Sequence, residues 1–103
     1  MTKYTVEHFI QKFEFIEESQ WATGNYVNVV GACCALGHCG TRLTGRGATI
    51  MTEESTALAE MFRQQLNEFV YYVNDGGFGA LKYGSTPKQR ILNALKEIKE
   101  KQQ

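Results

Sequence analysis

Residues 31–40 read Gly-Ala-Cys-Cys-Ala-Leu-Gly-His-Cys-Gly, and nearly all of these side chains are small. Small side chains let a neighbouring helix approach closely, so the stretch predicts a short, buried helix over about residues 32–39. Gly40 suits the C-cap of this helix, because glycine adopts the left-handed conformation at little cost. We therefore expect this segment at the centre of the fold, with longer helices packed around it.

Two longer segments before residue 76 have the apolar spacing that is typical of amphipathic helices. The first begins after Thr5, a suitable N-cap, and its apolar stripe comprises Val6, Phe9, Ile10, Phe13 and Ile16. The second is predicted over residues 53–73, after Thr52, with Asn74-Asp75-Gly76-Gly77 ending it. Its stripe comprises Leu58, Met61, Phe62, Leu66, Phe69, Val70 and Val73.

The last helix has the clearest start signal in the chain. Thr86 is the predicted N-cap, Pro87 occupies the first helical position, and Gln89 is placed to complete a capping box. Its buried face is predicted to comprise Ile91, Leu92, Leu95 and Ile98. The expected fold is therefore mainly α, a compact bundle of three amphipathic helices around the short small-residue helix.

One small β-hairpin is compatible with this fold. Residues 26–30 are rich in valine, and the only other extended-looking stretch lies within residues 47–52, so we expect these two to pair. Residues 41–47 between the small-residue helix and that second stretch are expected to form a flexible, basic loop.

Composition limits the class of protein. A chain of 103 residues fits a single domain spanning residues 1–103, and 43% hydrophobic residues indicate a folded core. Eleven basic and eleven acidic residues cancel, which argues against a general nucleic-acid or membrane binder. The N-terminus lacks the pattern of a signal peptide, and the odd, clustered cysteines do not form a disulfide framework. We therefore expect a cytoplasmic location with reduced thiols.

Four short motifs resemble an uncharacterised family of small bacterial and phage domains. They are Trp21, Cys34-Ala35-Leu36-Gly37, Asn74-Asp75 and Thr86-Pro87, and the similarity covers roughly residues 9–98. The family brings no established activity, so the resemblance implies only that these positions lie together in the fold. The glycine-rich stretch 76–84 is longer than the family pattern.

The cysteines are the first candidate site. Cys33 and Cys34 stand near the start of the predicted short helix, where a helix N-terminus lowers the pKa of a thiol and favours a nucleophile. His38 would be the base and Asn74 or Asp75 would orient it, but His38 belongs to the thiol's own helix rather than to an opposing wall. The simpler interpretation is that the cysteines are small buried core residues.

A metal site is the second candidate. Cys34, His38 and Cys39 are ligand types at helical spacing, and a fourth ligand would have to be Cys33, His8 or Asp75. No standard zinc spacing is present, so we predict no metal and no cofactor.

The third candidate is an anion site in two glycine-rich loops. Arg42, Thr44 and Arg46 could hold a phosphate, although residues 40–47 are not a P-loop. The second loop offers aromatic rings and a lysine that could clamp a nucleobase, with the predicted ligand residues Tyr72, Phe78, Lys82 and Tyr83. The alternative is two surface loops without a ligand.

Charge is unevenly distributed, with acidic segments over residues 1–20 and 53–75 and a basic segment over residues 76–103. These faces could bind a protein partner or form a homo-oligomer, or they could simply be solvated. The expected function is a small non-enzymatic binding or regulatory protein that captures a protein partner or a small anionic ligand such as a nucleotide. The alternative is a cysteine-dependent hydrolase or transferase that uses Cys34 or Cys33.

Overall fold

The computed structural model describes residues 4–24, 26, 31–46, 48–77 and 79–102. In chain order, its elements are α1 (Val6–Glu14), a 3-10 turn (Glu18–Gln20), α2 (Ala35–His38), β1 (Arg42–Leu43), β2 (Thr49–Ile50), α3 (Glu53–Leu66), α4 (Val70–Asp75), a second 3-10 turn (Ala80–Tyr83) and α5 (Pro87–Lys101). The predicted class, mainly α with one small antiparallel hairpin, is confirmed.

The first and last helices pack against each other and begin as predicted. The Thr5 hydroxyl accepts the N–H of His8, and the Thr86 hydroxyl accepts the N–H of Gln89. The capping box at α5 is not completed as expected, because the amide oxygen of Gln89 accepts from Ser85 instead. Lys88 of α5 donates to the carbonyl of Glu14 at the end of α1. The buried residues of the two helices include Val6, Phe9, Phe13, Ile91, Ala94, Leu95 and Ile98.

The small-residue segment lies at the centre, as predicted, but its helix is shorter. Only Ala35–His38 is helical, and Cys34 precedes it with an extended backbone. α2 contacts α3, α4 and α5. Gly37 makes this packing close, because a Cβ at that position would overlap the carbonyl of Tyr26. Gly40 follows with a φ of 101°, a conformation that favours glycine.

The hairpin of the structure pairs Thr49–Ile50 antiparallel with Arg42–Leu43. The partner predicted for this stretch, residues 26–30, lies outside the described residues apart from residue 26, so that pairing stays a prediction. The Thr44 hydroxyl accepts the N–H groups of Arg46 and Ala48 and so organises the turn. The stretch predicted as a flexible loop therefore begins with a strand, because local side-chain bonds stabilise a hairpin there.

The helix predicted over residues 53–73 is broken in two. Thr52 caps α3 as expected, with Ser55 completing a capping box, but Asn67 ends α3 in the left-handed conformation with a φ of 55°. Asparagine tolerates this conformation better than most residues, so it can replace glycine at a helix end. Phe69 precedes α4 and is 55% exposed, so its predicted place in the buried stripe is wrong.

Within the described residues, no helix is long and apolar enough to cross a membrane.

Candidate functional site

Asn74, in the last turn of α4, joins three segments of the chain. Its side chain is fully buried. The amide oxygen accepts the N–H of Ala35 at 3.0 Å, and the amide nitrogen donates to the carbonyl of Ala22 and to Asp75 Oδ1, each at 2.9 Å. Trp21 in turn forms a β-bridge with Cys33. The residues around Trp21, Cys34 and Asn74 therefore lie together.

Arg90 of α5 fixes the end of α4. Arg90 as a whole is 5% exposed, and its guanidinium donates to the carbonyls of Val73, Asn74 and Gly84. Burial lowers the pKa of Arg90, whereas the nearby Asp75 carboxylate raises it. A positive charge at the C-terminus of a helix interacts favourably with the helix dipole. Arg90 therefore holds the backbone at the end of α4 without lining the cleft described next.

A cleft of about 630 Å³ opens between the end of α4, the start of α2 and the hairpin. Its described lining comprises Gly24, Tyr26, Cys34, Arg42, Leu43, Tyr71 and Asp75. This volume lies in the range of small-molecule sites, as does the combination of mostly apolar walls with a few polar groups. We call this feature the α2–α4 cleft.

The α2–α4 cleft carries one positive and one negative side chain. Arg42 and Asp75 are both exposed. In the part of the chain that the structure describes, the ion pairs are those of Glu54 with His8 and Lys12, so neither cleft charge is neutralised by an ion pair there. The Asp75 carboxylate is nevertheless held in place, because Oδ2 accepts the N–H of Gly24 at 3.1 Å and Oδ1 accepts from Asn74.

Cys34 lines the α2–α4 cleft but is 4% exposed. Burial raises the pKa of its thiol, the backbone N–H groups of Gly37 and Leu36 lower it, and the charge of Asp75 raises it further. The net shift is upward, so the thiol is protonated at neutral pH. This is the opposite of the lowered pKa that a nucleophilic cysteine needs.

His38 does not face Cys34 as a catalytic base would. Its ring packs edge-on against Trp21 with centroids 4.8 Å apart, and Nε2 is buried with no hydrogen-bond partner among the described residues. Burial lowers the pKa of His38. Among the described side chains, no hydrogen bond joins Cys34 and His38, so the structure brings Cys34 and Asp75 to one cleft without the imidazole.

The other cysteines occupy different surroundings. Cys33 is half-buried, whereas Cys39 is 4% exposed and lies beside Glu54. Burial and the charge of Glu54 raise the pKa of Cys39 to about 12. Searching the described residues for three or more clustered histidine, cysteine or acidic side chains that could hold a metal finds none.

The predicted anion-binding residues are distributed over separate places. Arg42 lines the α2–α4 cleft, whereas Thr44 and Arg46 belong to the hairpin turn, where the Thr44 hydroxyl bonds the backbone. The ring of Tyr72 covers Gly77. Phe78 lies outside the described residues.

Tyr83 and Lys82 form a local structural contact. Tyr83 is 8% exposed and its hydroxyl donates to Glu97 at 2.8 Å. Burial and this bond raise the pKa of Tyr83 to about 12. The Lys82 ammonium lies 5.0 Å from the centre of the Tyr83 ring. The described lining of the cleft includes neither residue.

The described lining of the cleft includes Tyr26, Leu43 and Tyr71, which the sequence did not single out as ligand residues, and it does not include the predicted Tyr72. Of the two adjacent tyrosines, Tyr71 leaves the core, with 53% exposure, and it stacks on Phe69. The adjacent tyrosines were a signal that one ring must face outward. Tyr26 carried no comparable signal, because its place in the cleft depends on the close approach to Gly37.

No protein-family model matches the chain, and no curated protein or solved structure matches it either. The inference of function therefore starts from the α2–α4 cleft.

Proposed function

We propose that this chain is a small non-enzymatic binding protein that captures an anionic ligand with a flat ring, such as a nucleotide, in the α2–α4 cleft. The observation that carries this proposal is the position of Arg42 in the same cleft as Tyr26 and Tyr71. A guanidinium pairs with phosphate or carboxylate through two parallel hydrogen bonds, and tyrosine rings provide flat surfaces for stacking. A cytoplasmic location is part of the proposal, supported by three free cysteines.

The experiment is a thermal-unfolding and calorimetric titration with the 5′-monophosphates of adenosine, guanosine, cytidine and uridine. At least one of them should raise the midpoint of unfolding and bind saturably. Arg42→Met should abolish this binding, because it removes the cleft cation while keeping an apolar stem. Arg46→Met is the matched control on the hairpin turn and should bind like the wild type. Absence of binding by all four compounds excludes a nucleotide as the ligand of the cleft.

A second candidate is capture of a protein partner. Exposed apolar side chains border the α2–α4 cleft, where Leu43 is 58% exposed and Tyr71 is 53% exposed and stacked on Phe69. Tyrosine and phenylalanine are enriched at protein interfaces relative to the rest of the surface. Light scattering after gel filtration distinguishes a homo-oligomer from a monomer. Tyr71→Ser should weaken binding to a second copy of the chain or to a different protein partner.

The alternative is a hydrolase or transferase that uses Cys34 or Cys33. It is tested at Cys34, because Cys34 lines the cleft. Alkylation by iodoacetamide at neutral pH, read by mass spectrometry, tests it. Slow modification of Cys34 agrees with a buried thiol of raised pKa, whereas modification much faster than that of the half-buried Cys33 indicates a nucleophile.

A further inference from the structure

We infer that the α2–α4 cleft selects rings that present two adjacent N–H donors, as guanine and pterins do. Rings that present an acceptor nitrogen beside an amino group, as adenine does, should bind more weakly. This inference rests on the proposed function and assigns the second charged group of the cleft a role. Arg42 suits the anionic part of the ligand, and Asp75 would then bind the edge of the ring.

The first step of the argument is that Asp75 is both available and held in place. It is exposed and lines the cleft, yet each carboxylate oxygen accepts one hydrogen bond from the protein. Gly24 N–H binds Oδ2, and the Asn74 amide binds Oδ1. An ionised carboxylate has about four acceptor positions, so about two stay open on the two oxygens. These contacts fix the carboxylate group without saturating it.

The second step is that the supports of Asp75 are themselves rigid. Asn74 is fully buried and also binds Ala35 and Ala22, and Arg90 holds its backbone carbonyl at 2.8 Å. A group that is fixed before the ligand arrives loses little conformational entropy on binding. The carboxylate is therefore preorganised to discriminate between hydrogen-bonding patterns.

The third step concerns the chemistry of the ring. Guanine presents an N1–H and a 2-amino group side by side, and both can donate to the two oxygens of one carboxylate. Adenine presents an acceptor nitrogen beside its amino group, and that acceptor would face a carboxylate oxygen. A paired contact of this kind discriminates between bases by about tenfold or more. Cytosine has a similar acceptor next to its amino group.

The experiment compares guanosine, inosine and adenosine 5′-monophosphates by calorimetry on the wild-type chain. Inosine keeps N1–H and lacks the 2-amino group, so the expected order of affinity is guanosine, then inosine, then adenosine, with about tenfold or more between the extremes. Asp75→Asn should reduce the difference in affinity between the guanosine and adenosine monophosphates, because the asparagine amide can donate to the adenine acceptor. Glu60→Gln, an exposed change on α3, is the matched control. Pterin-6-carboxylate is a second probe that separates recognition of the shared ring edge from recognition of a nucleotide.

The outcomes separate the two proposals. The selectivity is overturned if the three nucleotides bind equally or if adenosine monophosphate binds best. The proposed function still stands in that case if Arg42→Met loses binding. No binding of any nucleotide or of the pterin overturns both. The wild-type series decides the question by itself if Asp75→Asn fails to fold. Binding of the pterin alone supports the ring-edge selectivity and excludes nucleotides as the ligand class.

Discussion

The amide oxygen of Asn74 lies 3.0 Å from the backbone nitrogen of Ala35, so the end of α4 caps the start of α2. α2 is only one turn long and has no side-chain cap of its own. The cap therefore comes from a residue distant in sequence, and it depends on α4 ending where it does. Asn74 links the stability of the fold to the geometry of the α2–α4 cleft.

Asn74→Ala should lower the free energy of unfolding by about 3 kcal/mol, because it leaves the buried N–H of Ala35 and the carbonyl of Ala22 without partners. Chemical denaturation monitored by circular dichroism measures this loss. Asn93→Ala is the control, since it removes one half-buried bond to the carbonyl of Tyr83 and should cost about 1 kcal/mol. Equal losses for the two variants would contradict the special role of Asn74.

Gly37→Ala should destabilise the fold by about 1–3 kcal/mol, because the added methyl group overlaps the carbonyl of Tyr26. Because Tyr26 lines the cleft, Gly37→Ala should also weaken ligand binding. Gly45→Ala is the matched control, with open space around its Cβ and no left-handed backbone. Thermal unfolding of both variants provides the measurement, and a neutral Gly37→Ala would show that the two segments are not in close contact.

Asn67→Ala should lower the free energy of unfolding by about 1 kcal/mol, because alanine is strained at a φ of 55°. Asn67→Gly should be neutral or slightly stabilising, since glycine adopts this conformation freely. The pair of variants is compared by urea unfolding. The reverse order would mean that α3 continues through residue 67, as the sequence alone predicts.

Glu54 should make the stability of the fold sensitive to acid. Burial raises the pKa of Glu54, but hydrogen bonds from Lys12 and His8 outweigh it, and the pKa lies below its ordinary value of 4.5. A lowered pKa in the folded state stabilises the fold above pH 4.5, and this contribution is lost as the pH falls through the folded-state pKa. The stability difference between the wild type and Glu54→Gln should therefore shrink below pH 4.5.

Urea unfolding across this pH range tests the prediction, with the exposed Glu60→Gln on the same helix as control. The control should leave the pH profile unchanged. A wild-type advantage over Glu54→Gln that stays constant down through pH 4.5 would show that the contacts of Glu54 do not depend on its ionisation.

The features that could be predicted best from the sequence are those that depend on residues close together in the chain. Thr5, Thr52 and Thr86 each cap a helix as expected, because a cap needs only a hydroxyl and the next three residues. The break at Asn67 was missed because apolar spacing continues across it. Its only local signal was an asparagine, which also occurs inside helices.

The candidate site was harder to predict because its walls come from separate segments. Cys34 and Asp75 belong to the predicted catalytic set and Arg42 to the predicted anion site, and the fold brings all three into one cleft. Their meeting depends on the bonds of Asn74 and on the absence of a side chain at Gly37. Neither relationship is visible in composition or periodicity.

The packing of α1 against α5 has a consequence for biosynthesis. Phe9 and Phe13 belong to α1, and α2, α3 and α4 all lie in the chain between α1 and the helix that covers these two rings. Arg90, which anchors the end of α4, also belongs to α5. During synthesis the aromatic surface of α1 therefore stays uncovered until α5 has left the ribosome, and the native packing of α1 forms only after that point.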